Sequence, residues 1–413
     1  MAHTTPLATA GVNTPLPTPL LPPELVARVL ELTLPQNEGP NLAKAWKGRS
    51  SGLRTFCLLS SGWKEWAMAR LLERVHLPTS IAATSFADLP VENMDLVKML
   101  LVGGDQWEEA RAFGFERLRG HTPHLRSLEV AELEALPLDV VLAWPGQLPF
   151  TSKTQRESDL RPAPELRRLA LRGLRVHTPT ASKPPLLHSP HLTSLHLSCI
   201  DISEKHLSDL LRPTNLPSLT TLALHSVHLA PNALQAISPQ IQLLSLMSQE
   251  LHCDNSGTNS WSSLAAYNSG WGMGVVATLR ALDSPAPVRF IRIEQAQQDL
   301  EMDLFTVATG IEHGAPWIAG LEQLWLEQLD PLIYQGKSDP AQFAVNIARV
   351  RAQGVGVFMK DHGCFENWSN EVKARVSIAV SVRCRRRLTP EFLSSVPIES
   401  NRTISYSMHI NCC

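Results

Sequence analysis

Four segments in the middle of the chain share one spacing of leucines: "LRSLEVAELEA" from Leu125, "LRRLALRGLRV" from Leu166, "LTSLHLSCIDI" from Leu192 and "LTTLALHSVHL" from Leu219. Each carries leucine at positions 1 and 4 and apolar side chains at 6 and 9, and only Ala135 weakens position 11. Looser copies begin at Val97, Ile241, Val288 and Leu321, with a last candidate in "GVGVFM" at 354–359. In extended backbone alternate side chains share a face, so positions 4 and 6 point inward together, and position 1 turns in at the bend before the strand. One such unit cannot bury its leucine face alone, whereas parallel stacking of neighbours makes a continuous core. Between the units, "SEKHLSDLLRP" at 203–213 spaces Leu207, Leu210 and Leu211 for a helix and ends at a proline. Strand then helix, repeated, predicts an irregular curved solenoid with a parallel β-sheet, an α/β architecture. The stretches 135–165 and 250–287 are rich in Pro, Ser, Gly and Asn and read as insertions.

The N-terminal part has a different pattern. Residues 1–20 contain no acidic or basic side chain and are rich in Pro and Thr, which predicts a flexible leader. From Pro22 the spacing of Leu25, Val29 and Leu32 gives a short amphipathic helix that ends before Pro35. Residues 36–52, "QNEGPNLAKAWKGRSSG", read as a loop by composition. A second helix starts near Leu53 with apolar positions Leu53, Phe56, Leu59, Trp63, Trp66 and Ala67, and "RVHL" from Arg74 reads as a short strand. Leu58 widens this apolar stripe.

Composition narrows the functional classes. A hydrophobic content of 44% supports a sizeable core, and a formal net charge of -2 supplies no large positive field for nucleic acid or an anionic membrane. No run approaches the roughly eighteen apolar residues of a membrane span. The seven cysteines form no C-x-x-C pair, which fits a reducing compartment, cytoplasmic or nuclear. The chain carries no phosphate-binding glycine loop, zinc-protease motif or nucleophile elbow. Asp361, His362 and Cys364 stand side by side in "DHGC", but a nucleophile and its base normally come from separate elements and meet in space. His196 and His225 occupy successive repeats and meet only if the strands stack in register; no Cys or carboxylate spacing supports a metal there. The reading is a protein without catalytic residues, metal or cofactor. Its tail, 372–413, contains the basic run "RCRRRL" and has no assignable structure.

"LPPELVARVLELTLP", followed by "LRTFCLLSSGWKEWAMARLLERVHL", resembles an F-box: an L-P-x-E-L opening of one helix, then a helix of the form L-x-L-V-S-x-x-W. Leucine-rich repeats after such a module resemble the F-box/leucine-rich-repeat proteins, most closely the divergent fungal kind. The resemblance implies a short all-α module over 21–77, interrupted at 36–52, and a leucine-rich-repeat solenoid over 90–360. It implies a substrate-recognition adaptor of an SCF-type ubiquitin ligase, in which the F-box docks on a Skp-type adaptor bound to a cullin and the repeats select a protein substrate. By position, adaptor contacts would come from Leu21, Pro22, Glu24, Leu25, Val29, Leu30, Leu58, Leu59, Ser60 and Trp63. Three departures stand out: the long Lys/Arg-bearing 36–52, Ser60 in place of the commoner cysteine, and apolar residues where regular repeats carry asparagine at position 9. A repeat scaffold uncoupled from ubiquitination is the alternative.

On the concave face the outward positions 3, 5 and 7 put Arg168, Arg172, His196, His225, Arg292, Glu294, Trp325 and Glu327 forward as substrate-binding candidates. Trp325, expected to be exposed among polar neighbours, is the candidate hot spot.

Overall fold

The computed structural model describes residues 23–34, 42–59, 61–106, 122, 124–131, 166–173, 189–200, 202–227, 234, 236–247, 261–269, 288–294, 300–327, 340–359 and 368–375. The expected leader, the connection 135–165, the "DHGC" segment and nearly all of the basic tail lie outside them. The chain divides into two compact units, Met1–Phe365 and Glu366–Cys413. In the second, a helix spans 368–375 and carries an ion pair one turn apart, Arg375 Nη2 to Glu371 Oε1 at 2.6 Å. No described helix is long and apolar enough to cross a membrane.

The first unit begins with three helices, α1 (Pro23–Thr33), α2 (Leu42–Leu59) and α3 (Ser61–Glu73). Part of the expected loop is therefore helical. Residues 42–52 continue into the predicted second helix because Ala43, Lys44, Ala45 and Lys47 are strong helix formers, which outweigh Gly48 and Gly52. Gly52 also has a packing reason: a Cβ there would sit 2.7 Å from Leu34 Cδ2, so only glycine lets α2 approach that buried side chain without displacing it. The helix expected to run unbroken from Leu53 ends at Leu59 and restarts at Ser61, where Ser61 and Gly62 are poor helix formers.

After α3 the chain enters β1 (Arg74–Thr79), then α4 (Ser80–Ala87) and α5 (Val91–Met94). The strands that follow are β2 (Met99–Gln106), β3 (Ser127–Ala131), β4 (Arg168–Arg172), β5 (Ser194–Ser198), β6 (Thr221–His225) and β7 (Leu243–Met247). β8 (Ala266–Ser269), β9 (Phe290–Glu294), β10 (Gln323–Glu327) and β11 (Gly356–Phe358) complete one eleven-stranded sheet in sequence order, each strand parallel to the next. Parallel neighbours need a crossover, and α6 (Glu204–Leu210), α7 (Leu300–Glu312) and α8 (Pro340–Ala352) lie in three of them. This is the mixed α/β solenoid that the leucine spacing predicts.

The register explains why position 4 is leucine. Leu128, Leu169, Leu195, Leu222, Leu244, Tyr267, Ile291, Leu324 and Val357 pair strand to strand as one continuous row inside the core. The stretch 250–287, expected as insertion alone, contains β8: Tyr267 and Ser269 stand where its neighbours carry Leu or Ile, which hides the repeat in the sequence. Its first position, Leu264, divides the long gap between Ile241 and Val288 nearly in half.

Three consecutive strands end in a left-handed residue: Gly173, Cys199 and Ser226 have φ of 63, 52 and 51°. Their N–H groups donate to the last carbonyl of the next strand, Ser198, His225 and Met247, at 2.8–2.9 Å. The turn sends position 9 back inward, where Ile200 and Val227 are buried. An apolar plug thus replaces the asparagine of regular repeats.

Candidate functional site

Two surfaces are candidates: the helical module and the sheet face turned away from the core.

The module has a small core of its own. Leu34, Leu53 and Ala67 are buried, with Phe56, Cys57, Trp66 and Leu71 packed on them. Trp66 meets Phe56 at 6.4 Å between ring centroids and takes the edge of Trp63 at 6.3 Å. Arg49, buried on α2, pairs with Glu31 on α1. Glu73 closes the module onto the sheet: it accepts from Arg70 at 2.5 Å and from Lys98, just before β2, at 3.1 Å. Burial alone would push the Glu73 carboxyl up, but these hydrogen bonds and positive charges hold it below its ordinary value.

That core uses only one side of the helices. On α1, Leu25, Val29 and Leu32 are 53, 52 and 62% exposed, and Leu58 on α2 is 87% exposed. Their spacing along α1 makes one stripe of a helical face. Trp63 is half-buried. Of the other sequence candidates, Glu24, Leu30 and Leu59 lie within α1 and α2, whereas Leu21, Pro22 and Ser60 lie outside the described residues.

On the sheet, register brings the outward residues into rows. The central row runs His76, Leu101, Glu129, Ala170, His196, Ala223, Ser245, Asn268, Arg292, Trp325 and Phe358. Glu129 faces two arginines of β4, with Arg172 Nε at 3.4 Å and Arg168 Nη2 at 3.8 Å. The two sequence-chosen histidines do meet: His196 Nε2 and His225 Nδ1 are 3.2 Å apart, with ring centroids at 4.5 Å. His225 Nε2 shares a 2.7 Å hydrogen bond with Ser245 Oγ, which also accepts from Asn268 Nδ2 at 2.8 Å; Arg292 Nη1 donates to Asn268 Oδ1 at 3.3 Å. All five side chains are buried, so each hydrogen bond offsets a desolvation cost. No cluster of three His, Cys, Asp or Glu suited to a metal occurs among the described residues.

Sequence reasoning missed Ser245 and Asn268. Ser245 stands at position 5 of β7 and was open to the same outward rule, whereas Asn268 belongs to the unrecognised β8. His76, outward on β1, has its ring titration pushed below the ordinary histidine value by burial, although Gly103 O at 3.2 Å and the charge of Glu129 act the other way. Trp325 requires a correction: it is outward but only 1% exposed, stacked on Phe358 at 5.4 Å and tilted against Phe290 at 6.0 Å. The three rings cover one another, because a bulky apolar side chain at the end of the sheet gains more from neighbours than from water. Glu294 and Glu327 are register partners on β9 and β10.

A family model described as "FBD-associated F-box protein At5g56370, LRR repeats" matches residues 122–260, the stretch that carries β3 to β7. No curated protein matches the chain. Over its central repeats, the chain is similar to the leucine-rich repeats of F-box-associated proteins.

Proposed function

We propose that the chain is the substrate-recognition adaptor of an SCF-type ubiquitin ligase, a binding protein whose α1–α3 module docks on a Skp-type adaptor held by a cullin and whose repeats hold the protein to be ubiquitinated. The observation that carries this reading is the unpartnered apolar stripe of Leu25, Val29 and Leu32, with Leu58, on helices joined directly to the solenoid. Three short helices bury little against each other, and such a face gains stability by completing its core on another protein. The similarity of the repeats to those of F-box-associated proteins supports the same reading. On the solenoid, the part-exposed Arg168 and Arg172 are the substrate candidates, with Glu294 and Glu327 on β9 and β10, whereas His196, His225 and Arg292 are buried in the hydrogen-bonded chain and serve to hold this face in shape.

Co-expression with a Skp-type adaptor tests it. The wild-type chain should co-purify with the adaptor, and the Leu25→Asp, Leu58→Asp double variant should not, while keeping its own folding cooperativity. Equal capture of both proteins would remove the stripe from the interface. Partner binding through the repeats without any adaptor capture would favour the uncoupled scaffold.

A further inference from the structure

The residue that enters each strand, position 2 of the repeat, forms its own ladder along one rim of the sheet: Glu73, Lys98, Arg126, Arg167, Thr193, Thr220, Gln242, Ala265, Arg289 and Glu322. Each donates its N–H to the carbonyl of the preceding one at a neighbouring strand, as Lys98 does to Glu73, Arg126 to Lys98 and Arg167 to Arg126, at 2.8–3.0 Å. At both ends of this ladder, opposite charges sit side by side and pair. Lys98 Nζ reaches Glu73 at 3.1 Å, and Arg289 grips Glu322 with two hydrogen bonds of 2.7 and 2.8 Å.

In between, three cations follow one another, Lys98, Arg126 and Arg167, and of these Lys98 is paired with Glu73. Arg126 and Arg167 are direct neighbours at the entries of β3 and β4, both exposed, and neither guanidinium has an ion pair or side-chain hydrogen bond among the described residues. Like charges opposite each other across a strand pair destabilise a sheet, and adjacent strands hold them only about 4.8 Å apart at the backbone. The next rungs, Thr193 and Thr220, cap the rim with hydroxyls that donate to Arg167 O and Thr193 O at 3.1 and 3.3 Å. The neutral solution is thus used on the rungs immediately after Arg167. Lys98 adds a further exposed cation on the rung before Arg126, and the acidic rung at this end of the ladder, Glu73, is already engaged by Arg70 and Lys98.

We propose that Arg126 and Arg167 form an anion clamp for a carboxylate-rich segment of a partner protein, running along the strand-entry rim over β2–β4. Two arginines on neighbouring rungs can each offer a forked pair of donors to a carboxylate. The rest of the molecule favours a protein partner over nucleic acid or membrane: the chain has a net charge of -2, and this patch is local, whereas polyanion binding draws on a broad positive field. The inference goes beyond adaptor docking and does not depend on it, because the rim lies on the repeats and the apolar stripe on α1 and α2.

The test uses the full chain and a fluorescein-labelled deca-glutamate peptide, with a same-length Gly-Ser peptide, a single-stranded RNA and phosphatidylserine vesicles as comparison probes. The clamp predicts saturable binding of the acidic peptide that weakens as salt rises, and at least about tenfold weaker binding by the Arg126→Gln, Arg167→Gln double variant. Arg212→Gln, at an exposed arginine paired with Asp209, should bind as wild type. The double variant should unfold at the same temperature as wild type or higher, because a like-charge contact is gone, and should retain adaptor capture. The proposal is overturned if the wild-type chain ignores the acidic peptide, if the double variant binds it equally, if RNA or vesicles bind more tightly, or if the double variant loses stability and thereby shows a structural role.

Discussion

Leu222→Ala separates the core of this molecule from its surfaces. Leu222 has no exposed area and sits in the middle of the position-4 row, between Leu195 and Leu244. The substitution deletes three carbons, about 2.4 kcal/mol of transfer free energy at roughly 0.8 kcal/mol per methylene. A cavity adds to this, because the flanking rows belong to hydrogen-bonded parallel strands that cannot close inward, so the total should be about 3–5 kcal/mol. Leu58→Ala removes the same atoms from a side chain that is 87% exposed, and should cost no more than about 0.5 kcal/mol. Urea unfolding followed by circular dichroism measures both, and in a stacked array Leu222→Ala should also broaden or split the transition as repeats uncouple. A loss under about 1 kcal/mol for Leu222→Ala, or equal losses for the two variants, would refute the assignment of these leucines to core and surface.

Gly103→Ala should unfold or severely destabilise the N-terminal repeats, since its φ is 130° and a Cβ would fall 1.8 Å from Ala131 O; circular dichroism and limited proteolysis would show it. Ser226→Gly should raise stability by about 1 kcal/mol by relieving a left-handed non-glycine residue, read as a higher urea midpoint. His76 binds a proton less readily folded than unfolded, so its contribution to stability is complete above the ordinary value near 6.5 and is lost as pH falls through the lower folded value. The urea midpoint of wild type should therefore drop more between pH 7.5 and 5.5 than that of His76→Gln.

Much of the fold could be read from the sequence because it repeats. Leucines at positions 1, 4 and 6 state the strand, its inward face and its register at once, and the stacking of His196 against His225 follows from that register. β8 was illegible because Tyr267 and Ser269 occupy leucine positions, which the pattern cannot distinguish from loop. Residues 42–52 have the composition of a loop yet fold as helix, because Ala43, Lys44, Ala45 and Lys47 outweigh the glycines, and the packing of Gly52 on Leu34 is visible only in three dimensions. Trp325 was placed on the correct face but in the wrong environment, because periodicity gives direction and says nothing of what Phe290 and Phe358 cover. In the helical module, spacing alone puts Leu58 in the same apolar stripe as Trp66, and only the three-dimensional packing separates Trp66 on the core from Leu58 on the surface.

The most direct test of the account is calorimetric titration of a purified Skp-type adaptor into the full chain and into its Leu58→Asp variant. Docking through the apolar stripe gives saturable one-to-one binding by wild type with the negative heat-capacity change of apolar burial, and at least about tenfold weaker binding by the variant at unchanged stability. Absence of binding by the wild-type chain, or equal affinity for both proteins, would contradict it.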